Sequence, residues 1–156
     1  MQIHLLAVGN RMPAWVEAGF NEYAKRLPRE CRLQLVEIAP AKRGKHPDVE
    51  RIRREEGERL LAAVPRDART IALEVEGRAW STEQLADRLR DWLQDGRDLA
   101  LLVGGPDGLS AACRDRAELK WSLSPLTLPH PLVRVVLAEQ LYRAWSIISG
   151  HPYHRD

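Results

Sequence analysis

The sequence predicts an α/β fold, a mostly parallel sheet with helices on both faces. Three observations carry that prediction. Strand-like and helix-like segments alternate along the 156 residues with short connections. Leu99–Val103 is apolar at every position, the pattern of a central strand covered on both sides. Helix punctuation is explicit, because Ser81 and Gln84 form a capping-box pair and Gly96 follows the last apolar position of the same helix.

Each element can be justified in order. Ile3–Val8 reads as the first strand. Pro13 opens a helix whose Trp15, Val16, Gly19, Phe20, Tyr23 and Leu27 recur at helical spacing. Leu33, Leu35, Val36 and Ile38 make a second strand. A basic loop runs from Ala41 to Pro47. Asp48 then caps a heavily charged helix with Val49, Ile52, Leu60 and Leu61 as its sparse buried positions. Thr70–Val75 is the third strand. The capped helix after it carries Leu85, Leu89, Trp92 and Leu93, and Leu99–Val103 follows. A long helix, Leu132–Ser149, is apolar around much of its girth and needs cover on more than one side, which predicts a dimer.

Composition narrows the function classes. An apolar fraction of 44% suits a globular core, and no run of it is long enough to span a membrane. The net charge of +2 is too small to announce nucleic-acid binding, so any electrostatic case rests on local clusters. The N-terminus has neither the basic region nor the cleavage site of a signal peptide. Cys31 and Cys113 lie far apart without a CxxC spacing, and a reduced, cytoplasmic setting is expected.

Ligands in open α/β sheets bind beyond the carboxyl ends of the strands. Gly104-Gly105-Pro106-Asp107-Gly108 lies at one such end and Leu73 to Gly77 at another. No G-x-G-x-x-G opens a helix and no Walker A lysine is present, which disfavours dinucleotide and P-loop chemistry. The glycine run reads either as a tight turn or as a place where backbone meets ligand. The segment Trp121 to Pro131 likewise has two readings. It is a short strand before a proline-capped helix, or a ligand wall in which Leu123, Leu126 and Leu128 alternate with Ser124 and Thr127. With the polar tail His151 to Asp156, these stretches read as one small-molecule pocket with a lid.

GGPDG, SLSPLTLPHPLVR, AEQLYRAWSI and the terminal HPYHR, together with VGNRMPAWV and KRGK near the start, resemble the SPOUT class of knotted RNA methyltransferases. The resemblance runs the full length of the chain. It implies a single domain, residues 1–156, with a deep C-terminal trefoil knot in roughly residues 70–156. It also implies S-adenosylmethionine held among the knot loops and a homodimer with the pocket near its interface. The implied reaction is methylation of N3 of pseudouridine 1915 in 23S rRNA on the assembled ribosome. Carried over by position, the cofactor contacts are Leu73, Gly104, Leu123, Ser124, Pro125, Leu126, Thr127 and Leu128.

Chemistry supplies roles for the tail. A sulfonium carries its own leaving group, so methyl transfer needs in-line positioning and no metal. The target N3 is a weak nucleophile until it loses its proton. Arg143 is the candidate to stabilise the anion and His154 to accept the proton. The competing readings are an ion pair of Arg143 with Glu139 and a frayed terminus at His154. Tyr142, His151 and Tyr153 around them are assigned to RNA contact. His130, His151 and His154 lack the cysteine or acidic partners of a zinc set, so no metal is expected.

Lys42, Arg43 and Lys45 form a separate phosphate-holding loop outside the pocket segments, and neutralising them should leave cofactor affinity alone. Gly104 is expected to tolerate a side chain less well than Gly57, which sits on a charged helix. Trp121 and Trp145 suit either base stacking or packing. The alternative function is a non-catalytic ribosome-binding module that keeps the fold.

Overall fold

The computed structural model describes residues 1–155. Its elements are β1 Gln2–Val8, α1 Ala14–Ala24, β2 Arg32–Ile38, α2 Val49–Ala63, β3 Arg69–Ala79, α3 Thr82–Asp95, β4 Leu99–Val103, α4 Ala111–Arg116, β5 Leu119–Ser122 and α5 His130–Ser149. A 3-10 turn, Pro152–Arg155, packs the tail back on α5. The five strands form one sheet in the order β2-β1-β4-β3-β5, and all four pairings are parallel.

Strand alternation divides the core in two. Ile3, Leu5, Ala7, Ile71, Leu99 and Leu101 face α1, α3 and α5. Leu6, Val8, Ala72, Ala100 and Leu102 face α2 and α4. β4 lies at the centre of the sheet and all its residues are buried, so each of its leucines contributes about 1.5–3 kcal/mol of hydrophobic stabilisation. Asp48 accepts from the Arg51 amide, and both bonds of the Ser81–Gln84 capping box are made. Gly96 ends α3 in the left-handed conformation that favours glycine.

Several expectations need correction. Trp15 and Val49 lie on predicted apolar stripes, yet they are exposed, while Glu56 and Gly57 of α2 are buried instead. β3 runs to Ala79 rather than Val75, because a register shift against β5 between Leu73 and Arg78 lets the strand resume after its bulge. The cover on α5 comes largely from the same chain, with α1 on one flank and α3 on another. Its apolar girth is therefore no argument for a dimer. Trp121 is core, stacked 5.2 Å from Trp80. Cys31 and Cys113 are free and buried, and burial pushes the Cys31 thiol up to about 12, which makes it unreactive.

Candidate active site

The carboxyl ends of β3, β4 and β5 surround a cleft of about 1140 Å³. Leu73 to Glu76 form one wall, Val103 to Leu109 a second, and residues of the β5–α5 connection a third. Leu73, Gly104, Leu123, Ser124, Leu126, Thr127 and Leu128 all line it, whereas Pro125 is exposed and not on its wall. The third wall is held locally. Ser122 Oγ donates to the Ser124 carbonyl at 3.0 Å, and Ser124 Oγ accepts from the Leu126 amide at 3.0 Å. The leucines therefore present their side chains from a segment stiffened by prolines and short-range hydrogen bonds.

The cleft has an apolar floor and a mouth of mixed charge. Leu73, Val103, Leu123, Leu128 and Val133 offer a surface for a flat ring, while Glu74, Glu76 and Asp107 stand among Arg53, Arg114 and Lys120, with Glu74 paired to Arg114 at 3.5 Å. A Cβ on Gly104 would lie 2.6 Å from the Gly108 carbonyl carbon and 2.9 Å from the Leu109 nitrogen. The turn thus folds back on its own backbone, and only glycine permits that approach. Gly57 is no benign comparison, since a Cβ there would lie 2.3 Å from Ser110 Oγ. Gly44 has open space around it and is the neutral position.

One end of α5 closes this site. His130 lines the cleft, and burial, then the nearby Arg134 cation, lower its pKa. Arg134 is buried at 1% exposure, donating to Glu37 Oε2 at 2.8 Å and to the Gly9 carbonyl at 2.9 Å. It pins the first turns of α5 to the ends of β1 and β2. A lone arginine inside the apolar run Leu132–Leu137 was the sequence signal for this buried charge, and it was missed.

The tail occupies the other end. Arg143 lies 13 residues beyond His130 in one helix, which is about 20 Å along its axis. None of Tyr142, Arg143, His151, Tyr153 and His154 lines the cleft. Glu139 Oε1 accepts from Arg143 Nε at 2.8 Å and from the Tyr153 hydroxyl at 3.0 Å. Arg143 also stacks over the Tyr153 ring, 4.9 Å from its centroid. The bond to Glu139 raises the Arg143 pKa, and burial, then Glu139, raises that of Tyr153, so both remain protonated donors. Tyr142 is buried beneath Trp145, His151 and Tyr153, and Arg26, in the turn after α1, reaches over its ring. Its placement is that of a support for the tail, while His151 is exposed.

His154 is not frayed. Its Nδ1 lies 3.2 Å from Ser146 Oγ, and that hydroxyl donates to the Arg143 carbonyl at 2.6 Å. A hydroxyl has one proton to give. With that proton committed to the carbonyl, Ser146 accepts from Nδ1–H, which leaves Nε2 as the free acceptor. Nothing in the local sequence marks Ser146 for this, since its partners depend on how the tail folds back.

The basic loop touches one wall of the cleft from outside without lining it. Lys42, Arg43 and Lys45 are exposed, but Arg43 pairs with the Asp107 carboxylate and Arg53 Nε donates to the Asp107 carbonyl at 2.7 Å. Lys42, Arg43 and Lys45 do not line the cleft, as expected, but Arg43 is coupled to it through Asp107, which does. Among the described residues, no group of three or more His, Cys, Asp or Glu side chains could hold a metal ion. No helix among them is long and apolar enough to cross a membrane.

Comparison with known proteins then identifies the architecture. A family model described as Predicted SPOUT methyltransferase matches residues 1–154. The chain belongs to the SPOUT methyltransferase family. SPOUT relatives named ribosomal RNA large subunit methyltransferase H are similar along their whole length. The one from Thioalkalivibrio sulfidiphilus (strain HL-EbGR7) is 64% identical over 156 residues, covering 100% of both chains. That from Methylococcus capsulatus is 61% identical over 155 residues, covering 99% of this chain and 100% of its own.

Solved structures share the fold at low identity. A methylase-family protein from Haemophilus influenzae Rd KW20 superposes with a TM-score of 0.54 at 14% identity, covering 97% of this chain and 68% of that one. The Legionella pneumophila protein Lpg2936, solved with S-adenosylmethionine bound, gives 0.51 at 12% identity, covering 93% and 66%. At such identities the likeness concerns the SPOUT fold alone.

Proposed function

We propose that this SPOUT methyltransferase methylates N3 of pseudouridine 1915 in 23S rRNA on the assembled ribosome, using S-adenosylmethionine. The observation that carries this reading is the convergence of three sequence-distant stretches, 73–76, 103–109 and 123–130, on one cleft. Relatives named ribosomal RNA large subunit methyltransferase H, one of them 64% identical, support large-subunit rRNA as the substrate class, and the motif resemblance implies the nucleotide. In this reading residues 1–156 are one domain and residues 70–156 contain the trefoil knot.

The cleft fits the cofactor. Its volume of about 1140 Å³ exceeds what a drug-sized ligand needs, its floor suits an adenine ring, and Glu76, the lining carboxylate without an ion pair among the described residues, suits a cationic sulfonium or amine. When bound, S-adenosylmethionine supplies an electrophilic methyl group. Leu73, Gly104 and the run Leu123, Ser124, Leu126, Thr127 and Leu128 hold and orient it, with Pro125 stiffening the run from outside. His130 stays neutral at physiological pH, so it adds no positive charge beside a cationic ligand.

The tail acts on the base. Arg143, aligned by Glu139, stabilises the negative charge that N3 gains on losing its proton. His154 Nε2 accepts that proton, in the tautomer set by Ser146. His151 and Tyr153 contact the RNA from the surface that Tyr142 supports, and Lys42, Arg43 and Lys45 hold phosphates.

This reading requires a homodimer. Cleft and tail lie about 20 Å apart along α5, so each complete site takes its cleft from one protomer and its tail from the partner. Leu126 exposes 71% of its surface at the cleft mouth and Val75 exposes 48%, an apolar lip suited to cover by a second chain. The test is mass mapping of 23S rRNA from cells with and without this protein, alongside calorimetric binding of S-adenosylmethionine. Loss of one methyl group at that pseudouridine is the expected result. Unchanged rRNA with intact cofactor binding assigns a different substrate, and no cofactor binding leaves the non-catalytic ribosome-binding reading.

A further inference from the structure

We infer that Arg43 is a positioning residue for the cofactor turn, acting through Asp107, so that one side chain serves both the RNA loop and the cofactor cleft. The inference rests on the reading of that cleft as an S-adenosylmethionine site. It starts from how little the turn does for itself. Between Gly104 and Gly108 three of five residues lack side chains, and Pro106 has no amide hydrogen. The turn's own backbone hydrogen bond is Gly108 N to the Gly105 carbonyl at 3.0 Å. Glycines lose more freedom on ordering than any other residue, so such a turn needs anchors from outside.

Asp107 supplies the handle, and two arginines grip it. Arg43 pairs with its carboxylate. Arg53 Nε donates to its carbonyl at 2.7 Å. Beneath the turn, Glu56 Oε1 lies 3.3 Å from where a Gly105 Cβ would stand. The same helix that provides Arg53 and Glu56 also holds the basic loop by its backbone. Glu56 Oε2 accepts from the Ala41 amide at 3.0 Å, and Arg51 Nη2 donates to the Lys42 carbonyl at 3.0 Å. Loop and turn are thus two attachments of one rigid face of α2.

Geometry also divides the loop's cations. Among the described residues, Lys42 and Lys45 have no acidic partner, whereas Arg43 is turned inward onto a carboxylate that is 19% exposed. Guanidinium carries five N–H groups, and a carboxylate occupies at most two of them. With 40% of the Arg43 side chain exposed, the remainder are within reach of a phosphate. A lysine at this place offers the charge without the fork.

The experiment is calorimetric titration of S-adenosylmethionine into the full-length protein without ribosomes. It compares the parental chain with Arg43→Ala, Asp107→Asn, their double variant and Arg43→Lys. Arg90→Ala, which removes the exposed Arg90–Asp87 pair on α3, is the control. Each single variant is expected to bind about three- to fivefold more weakly, the scale of a partly exposed ion pair. The double variant should be no weaker than the weaker single one, because both remove one interaction. Arg43→Lys should recover part of the loss, and Arg90→Ala none of it should show.

Thermal melting separates positioning from folding, and the singles should melt with the parental protein. Parental affinity in Arg43→Ala, or losses that multiply in the double variant, overturns the inference while the cofactor site stands. Failure of the parental protein to bind overturns the cofactor reading itself, and this inference with it.

Discussion

The two ends of α5 serve different kinds of site. At the His130 end the cleft is built from backbone, glycine and leucine contributed by three strand ends far apart in sequence. At the Ser149 end the tail cluster consists of rings and charges, and most of its members come from α5 and the residues just after it. The cleft is concave and complete in walls, so one chain can bind there. The tail is packed on α5 with Tyr23 and Arg26 against its rings, and none of its described residues lines the cleft. On the proposed reading the tail is half of a site, and binding and chemistry should then be separable by substitution.

Mixing two inactive variants tests the comparison most severely. A Gly104→Val chain has a spoiled cleft, and an Arg143→Ala chain has a spoiled tail. If sites combine cleft and tail from opposite protomers, co-refolding equal amounts should restore about a quarter of parental activity, since half the dimers are mixed and each has one intact site. No restoration would place cleft and tail of one chain together.

Within the tail, Arg143→Ala should slow single-turnover methyl transfer by about 10²–10³-fold, as loss of an anion-stabilising donor does. His154→Ala should cost about 10²-fold. Cofactor affinity should be unaltered in both, as calorimetry would show, because neither residue lines the cleft. Ser146→Ala should give a smaller loss of about tenfold and change the pH profile of the rate, since it frees the His154 tautomer.

Within the cleft, Gly104→Val should weaken cofactor binding by at least about tenfold, because the added side chain collides with the Gly108 backbone. Gly44→Ala, with open space around it, is the matched control. Equal affinity of the two variants would reduce the turn to a passive connection.

The smallest effect concerns pH. The folded-state pKa of His130 is lowered, first by burial and then by Arg134. The unfolded chain therefore binds a proton there more readily, and stability falls as pH drops through the ordinary imidazole value of about 6.5. Denaturant midpoints between neutral pH and pH 5 should decline less in His130→Gln than in the parental protein. A parallel decline would show that this end of α5 carries no proton-linked strain.

Much of the fold was legible because it rests on local pattern. Leu99–Val103 announced a central strand by unbroken apolar character, and Ser81–Gln84 announced a helix start by capping chemistry. Both sides of the cleft were marked too, by a glycine run and by a proline-spaced leucine run after apolar strands. The errors fall where pattern is silent. Trp15 has the right period to be buried and is exposed at 59%. The expected third strand stops at Val75, whereas β3 runs to Ala79 because pairing with β5 resumes beyond the bulge.

By itself, then, the sequence determined the class of fold, the order of its elements through β4 and which stretches meet at the strand ends, while α4 went unmarked. Those properties follow from periodicity, caps and apolar runs, each contained within a few residues. Tertiary structure alone decided that the tail stands a helix length from the cleft, that Gly57 packs on Ser110, that Arg134 is spent on Gly9 and Glu37, and that Arg43 reaches Asp107. Each of these joins positions separated by 50 residues or more, or depends on where a helix ends in space. The energy of such a contact is set by the packing that brings its partners together, and no local pattern encodes that distance.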